Sequence, residues 1–101
     1  MKTITLSDIL EDLQAADQVL RRFEQRYWLS SRQFYQLYTE GALDDGEHSE
    51  DFAEWAGFYK LKLKREQALE QLSQERVASL PRKDGTNLIE IAPAEPALQI
   101  P

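Results

Sequence analysis

The stretch EDFAEWAGFYKLKLKREQALEQLSQERVASL, residues 50–80, decides the fold, because it has the composition of one long helix. Ser49 is placed to cap this helix, and acidic residues occupy its first turn, where the helix dipole favours negative charge. Pro81 disfavours helical geometry at the residue before it and so ends the helix. At 1.5 Å per residue the helix would be about 45 Å long, which exceeds the core that a chain of 101 residues can build.

This long helix carries apolar side chains in two stripes. At 100° per residue, the first half gathers one stripe on one face: Phe52, Trp55, Ala56, Tyr59 and Leu63. The second stripe lies on nearly the opposite face and further along the helix: Phe58, Leu61, Ala68, Leu69 and Leu72. A small core cannot cover both faces, so the second stripe is predicted to be covered by a copy of the chain, by the C-terminal tail or by another protein.

Two further helices precede the long one. Apolar residues from Leu6 to Tyr27 recur at alternating steps of three and four, which predicts a helix over about residues 7–27 with Ser7 as its N-cap. In LSSRQFYQLYTEG, Ser30 is the predicted N-cap and Gly41 the left-handed stop, giving a helix over about residues 31–40.

The aromatic residues of the second helix divide between core and surface. Phe34, Leu37 and Tyr38 share one face and are predicted to enter the core. Tyr35 points aside in this arrangement and is predicted to contact a partner.

The sequence therefore predicts an all-α fold, a three-helix domain over residues 1–80 with an extended, proline-containing tail over residues 81–101. The opening MKTITL is either a short strand or an extended arm, and its pairing with NLIEI of the tail stays open. The tail carries exposed apolar candidates for contact at Leu88, Ile89 and Ile91, which would add a strand to a partner or lie in a groove. The alternative is a tail that packs on its own third helix.

The composition excludes several classes of activity. The chain has no cysteine, one histidine and scattered glycines, so we expect no catalytic site, no metal site and no cofactor. The net charge of −6 and the spread of the basic residues around the helices disfavour nucleic acid as a partner. No apolar run reaches the roughly 18 residues of a membrane span, which predicts a cytoplasmic protein without a membrane partner.

One segment, residues 20–66, resembles a group of small bacterial and archaeal antitoxin-like proteins encoded beside a small toxin. The pattern is F/YE-x-x-Y, S-S-x-x-F-Y, an acidic glycine-containing loop and D-F-x-E-W-A. The matching residues are Phe23, Glu24, Tyr27, Ser30, Ser31, Phe34, Tyr35, Gly41, Asp51, Phe52, Glu54, Trp55 and Ala56. The chain departs from the pattern at Trp28, where such sequences often have glycine, and in its longer GEHSE loop.

The resemblance implies an antitoxin-like protein that binds and neutralises a toxin through a helix stripe and the C-terminal tail. The alternative is a homodimeric helical scaffold or regulatory protein, with a DNA-binding repressor as a third reading. The predicted contact residues are Tyr35, Phe58, Leu61, Ala68, Leu69, Leu72, Leu88, Ile89 and Ile91.

Overall fold

A computed structural model describes residues 2–44, 46–93 and 97–100 of the chain. The elements follow in the order β1 (Lys2–Thr5), α1 (Leu6–Tyr27), α2 (Ser31–Thr39), α3 (Ser49–Ser79) and β2 (Ala97–Ile100). The three-helix fold with a long third helix is therefore confirmed. Parts of the predicted opening segment, acidic loop and tail lie outside the described residues: Met1, Asp45, 94–96 and Pro101.

Helix α1 begins at Leu6, one residue before the predicted cap. Thr5 is the true N-cap, because its side chain accepts a hydrogen bond from the Asp8 N–H at 3.1 Å. The Asp8 carboxylate accepts one in return from the Thr5 N–H at 3.1 Å, which completes a capping box. The prediction of Ser7 as N-cap is wrong, because Thr5 has the reciprocal acid three residues later.

Helix α2 has the predicted ends. The Gln33 N–H donates to the Ser30 side chain at 3.1 Å, and Gly41 adopts a left-handed conformation with φ of +69°. The Gly41 N–H donates to the Tyr38 carbonyl and the Ala42 N–H to the Leu37 carbonyl, the two bonds of a Schellman motif. This motif turns the chain sharply into the acidic loop.

Helices α1 and α3 pack antiparallel, with α2 against the end where α1 stops and α3 starts. The first core lies at this end and contains Leu20, Phe23, Phe34, Phe52, Trp55 and Ala56. Trp55 is its centre, with an exposed fraction of 0% and the Phe34 ring stacked on it at 3.9 Å between centroids. In the predicted first stripe, Phe52, Trp55 and Ala56 are thus buried, Tyr59 is half-buried and Leu63 is exposed.

A second core lies at the other end of the helix pair and changes the interpretation of the second stripe. Leu72 is only 5% exposed and is buried together with Ile4 and Ile9. Leu13, Ala68 and Leu69 pack against this cluster. Strand β1 and the start of α1 contribute the buried neighbours of Leu72, a cover that the sequence did not predict. Of the three predicted covers, the tail is present in part, because β2 pairs with β1 and also contacts α3.

The spacing of the α3 residues that lie near α1 explains part of the difference between the predicted and the observed contacts. Asp51, Trp55, Arg65, Leu69 and Leu72 all lie near α1, as judged by their hydrogen bonds, ring contacts or shared core. These positions fit a repeat of 3.5 residues per turn, which a helix pair follows by supercoiling. Over the 31 residues of α3, the straight-helix value of 100° drifts by about 20° per heptad, which is roughly 90° in all and only half of the separation between opposite faces. The first stripe also packs on α2, because the Phe34 ring lies against Phe52 and the Tyr35 ring against Tyr59.

The chain termini meet beside the second core. Strands β1 and β2 pair antiparallel, with Lys2 opposite Ile100 and Thr5 opposite Ala97. The opening segment is thus a strand, and its partner is β2 rather than the NLIEI segment. Residues 81–92 form a separate turn, described below.

We predict that Leu72→Ala lowers the free energy of unfolding by about 2–5 kcal/mol, the usual cost of a cavity in a core. Leu63→Ala is the matched control on the same helix and should change it by about 0.5 kcal/mol or less, because Leu63 is exposed. Denaturant unfolding at two protein concentrations measures both. A Leu72→Ala loss that grows with protein concentration would show that a second copy, not the chain itself, covers this residue.

Candidate partner-binding surface

The predicted contact residues of α3 are largely occupied within the chain. Leu72 is buried, and Phe58, Leu61, Ala68 and Leu69 are half-buried. Phe58 packs against the first core, while Ala68 and Leu69 pack against the second. The structure therefore does not bring these five residues together as one open surface.

Tyr35 also differs from the prediction that it points aside. It is half-buried against the first core, and its ring lies 5.0 Å from the Tyr59 ring, measured between centroids. Helix α3 presents Tyr59 one turn after Trp55, so the aromatic surface of α3 extends far enough to reach Tyr35. The residue packs within the domain instead of standing free.

The remaining candidates lie on the segment after α3. The Asp84-Gly85 turn reverses the chain, with Gly85 at φ of +69°. Arg82 pairs with Ile89 in an antiparallel bridge. The Lys83 N–H donates to the Leu88 carbonyl at 2.8 Å, and the Glu90 N–H donates to the Pro81 carbonyl at 2.9 Å. Residues 81–92 thus form a small hairpin, called the tail hairpin below.

The tail hairpin displays three apolar side chains that stay partly or largely exposed among the described residues. Leu88 is 63% exposed, Ile89 43% and Ile91 76%. The Arg76 guanidinium donates to the Ala92 carbonyl and ties the end of the hairpin to α3. The three predicted residues therefore lie on one hydrogen-bonded segment, but side chains alternate along a strand, so Ile89 and Ile91 share one face and Leu88 lies on the other.

The outer edge of the tail hairpin is open as well. In antiparallel pairing, a residue between two cross-strand hydrogen bonds turns its own N–H and C=O away from the partner strand. Ile89 has this position opposite Arg82. Within residues 2–44, 46–93 and 97–100, no hydrogen bond reaches the Ile89 N–H. An added strand could pair here.

Trp28 is a surface feature that the sequence reasoning did not select. It ends α1 in a left-handed conformation, with φ of +56°, and its side chain is 93% exposed. The N–H groups of Trp28 and Leu29 both donate to the Glu24 carbonyl, the arrangement in which glycine is common. In the sequence, the signal for this feature is that tryptophan stands at a position where similar sequences often have glycine.

A hydrogen-bond chain holds the backbone beneath Trp28. The Glu24 carboxylate accepts from the Ser31 N–H at 3.0 Å and from the Ser31 hydroxyl at 2.7 Å. The same hydroxyl oxygen accepts from the Trp55 indole N–H at 2.8 Å. Burial raises the pKa of Glu24, but the bonds from Ser31 and Arg21 outweigh it and hold the pKa below its ordinary value.

The arginines near this turn are engaged by carboxylates. Arg21 pairs with Asp17 at 3.3 Å and with Glu24 at 2.9 Å. Arg22 pairs with Glu54 at 2.9 Å. Arg26 pairs with Asp51, which also accepts a hydrogen bond from the Tyr27 hydroxyl at 2.5 Å. Much of the positive charge of this cluster is therefore balanced within the domain.

Comparison with known proteins identifies no relative. No family model, no curated protein and no solved structure matches the chain. None of the helices in the described part of the chain has the length and apolarity of a membrane span. Among the same residues, no group of three or more histidine, aspartate or glutamate side chains converges as a metal site would require.

We predict that Trp28→Gly raises the free energy of unfolding by roughly 0.5–1 kcal/mol. Glycine removes about 1–2 kcal/mol of left-handed strain but adds freedom to the unfolded chain. Trp28→Ala is the control, because alanine keeps the Cβ and the strain. Equal stabilities for the two variants in denaturant unfolding would contradict a strained turn.

We predict that the Glu24 carboxylate stabilises the fold in a pH-dependent way. Its folded-state pKa lies below the ordinary 4.5, so its contribution is complete above pH 4.5 and is lost as the pH falls through the folded-state pKa. Glu24→Gln should therefore reduce stability at pH 7 more than at pH 3. Unfolding curves at both pH values measure this, and an equal reduction at the two would exclude an ionised Glu24 as the cause.

Proposed function

We propose that the protein is an antitoxin-like binding protein that neutralises a small protein toxin, with the tail hairpin as a main contact. The observation that carries the proposal is the exposure of Leu88, Ile89 and Ile91 on a hydrogen-bonded hairpin with an open edge. A partner strand could pair with this edge while its side chains bury the apolar ones.

The energetics favour an apolar contact at this surface. Complete burial of one such side chain is worth about 1.5–3 kcal/mol relative to exposure. Association also costs about 4–15 kcal/mol in lost translational and rotational freedom, so three side chains alone would bind weakly. Main-chain pairing along the edge and contacts elsewhere on the domain would supply the remaining affinity.

The charge of the chain supports a basic partner. The net charge is −6, and a field of this sign accelerates encounter with a positively charged protein. The same charge opposes nucleic acid, and the pairing of Arg21, Arg22 and Arg26 with carboxylates reduces the cations available to phosphate. We therefore propose a protein partner in the cytoplasm rather than DNA or a membrane surface, and no enzymatic activity of the chain itself.

A homodimeric helical scaffold is the second proposal, and a groove between α1 and α3 favours it. The groove has a volume of about 650 Å³ and is lined in part by Leu10, Leu13 and Lys62. Leu10 is 44% exposed, so a second copy could bury it. Light scattering at micromolar concentration tests this proposal, and a monomer there excludes it.

We predict that Leu88→Asp and Ile91→Asp each weaken binding of the toxin about tenfold or more, because a charge would enter an apolar contact. Co-expression with the product of the adjacent gene, followed by co-purification and a growth assay, measures the loss. Helix content should be unchanged in circular dichroism, since both side chains are exposed.

Leu63→Asp is the matched control, an exposed leucine on α3 that belongs to neither proposed contact. It should co-purify with the toxin as the unaltered chain does. If the unaltered chain neither co-purifies with that protein nor affects growth, the antitoxin-like function fails. If it binds and the hairpin variants bind equally well, the tail hairpin is not the contact.

A further inference from the structure

The tail hairpin has two outer edges, and the sequence protects them unequally. Its first strand, residues 81–83, is confined between the end of α3 and the turn, and two of its residues are the cations Arg82 and Lys83. Short length and positive charge are common protections of an edge strand. The second strand, residues 88–91, has three apolar side chains and one charge, the carboxylate of Glu90. The second strand is therefore the edge that an incoming strand can use.

The second strand presents regularly spaced main-chain groups to that incoming strand. The Glu90 N–H and the Leu88 carbonyl form hydrogen bonds to the first strand. Alternation along the strand therefore directs the N–H and C=O groups of Ile89 and Ile91 to the outer edge. In the described part of the chain, neither of these two N–H groups donates a hydrogen bond. An antiparallel strand would form hydrogen-bonded pairs with both isoleucines and would have one residue directly opposite Glu90.

The Glu90 carboxylate is available to that opposite residue. Glu90 is exposed, and among the described residues its carboxylate belongs to no ion pair. Lys83 lies on the first strand, and Arg76 on α3 lines the same depression as Glu90 while its guanidinium donates to a carbonyl at the end of the hairpin. Arg82 lies opposite Ile89 and so on the other face of the hairpin. All three cations belong to the first strand or to α3, whereas an incoming strand would approach from the outer side.

The same carboxylate disfavours a second copy as the occupant of this edge. In the antiparallel register that pairs Ile89 of each copy with Ile91 of the other, symmetry sets the two Glu90 residues directly opposite each other. Residues at such a position lie about 4.5 Å apart between their Cα atoms, and like charges there destabilise the pairing. Opposite charges at the same position stabilise it. Glu90 therefore favours a strand of another protein that has lysine or arginine at this place.

We propose that Glu90 is the specificity-determining residue of the tail hairpin and selects an extended segment of a basic protein in which a lysine or arginine stands between two apolar residues. The proposal rests on the proposed function and deepens it, because it names the chemistry of the toxin segment that binds at the same edge. The outward main-chain groups bind an extended backbone, and the cation pairs with Glu90. The net charge of −6 attracts such a segment as a whole.

The probe is a peptide with blocked ends that has lysine at its centre, isoleucine on both sides and threonine at both ends. It is titrated into the full chain at low ionic strength, and the NMR chemical shifts of the Ile89 and Ile91 N–H groups report binding at the edge. A peptide with glutamate at the centre should bind about two- to thirtyfold more weakly, because a repulsive cross-strand pair replaces an attractive one. A third peptide, with proline in place of both isoleucines, should not bind, because it lacks the main-chain donors.

Glu90→Lys should reverse the preference, so that the glutamate peptide binds more tightly than the lysine peptide. The fold should be unaffected, since Glu90 is exposed and has no ion pair among the described residues. Glu47→Lys is the matched control, because it makes the same change of charge at an exposed position before the start of α3. This control should keep the preference of the unaltered chain for the lysine peptide.

The assignment is overturned if the lysine and glutamate peptides bind equally, if Glu90→Lys leaves the preference unchanged, or if the lysine peptide does not bind. Equal binding of the proline peptide overturns it as well, and so does a dimer of the unaltered chain that Ile91→Asp dissociates, because a second copy would then occupy the edge. Failure of the proposed function is measured separately, with the toxin itself. If the peptides behave as expected and the toxin does not co-purify, the antitoxin-like function fails and the strand specificity stands. If the toxin co-purifies equally well with Glu90→Lys, the function stands and the role of Glu90 does not.

Discussion

The fold depends on how the buried Trp55 indole obtains a hydrogen-bond acceptor. The side chain has no exposure to solvent, so its N–H would cost free energy if it were left unpaired. The Ser31 hydroxyl oxygen accepts this hydrogen and donates its own to Glu24. One chain of polar groups thereby joins α3 to α2 and α2 to α1, while the Phe34 ring stacks on the same indole.

This linkage also fixes the turn between α1 and α2. Glu24 on α1 must reach both the N–H and the hydroxyl of Ser31, so only three residues, 28–30, separate the two helices. A connection this short requires a left-handed residue to reverse the chain at the end of α1. The conformation of Trp28 therefore follows from the core, whereas the choice of tryptophan in that conformation does not.

The ends of the helices could be predicted from local signals in the sequence, whereas contacts between distant residues could be predicted less well. The ends of α2 were predictable because Ser30, Gln33 and Gly41 act within a few residues of one another. The start of α1 was misplaced, since both Thr5 and Ser7 can cap and only the reciprocal bond to Asp8 decides between them.

The two stripes of α3 could not be interpreted from one helix alone. Whether Leu72 is covered depends on the path of the first residues of the chain, which bring Ile4 and Ile9 to it. Local inconsistencies in a sequence often mark functional sites. Here the apparent inconsistency at Leu72 disappears in the fold, but two others persist, at Trp28 and at the tail hairpin. Trp28 adjoins the end where Tyr27 meets the start of α3, and the tail hairpin follows the far end of the same helix. The 31 residues of α3 separate the two by roughly 45 Å, at 1.5 Å per residue. A partner that contacts both would have to lie along the 64 Å length of the molecule. Two separated contacts on one rigid support would then act as linked binding sites, in which the first contact raises the effective concentration for the second.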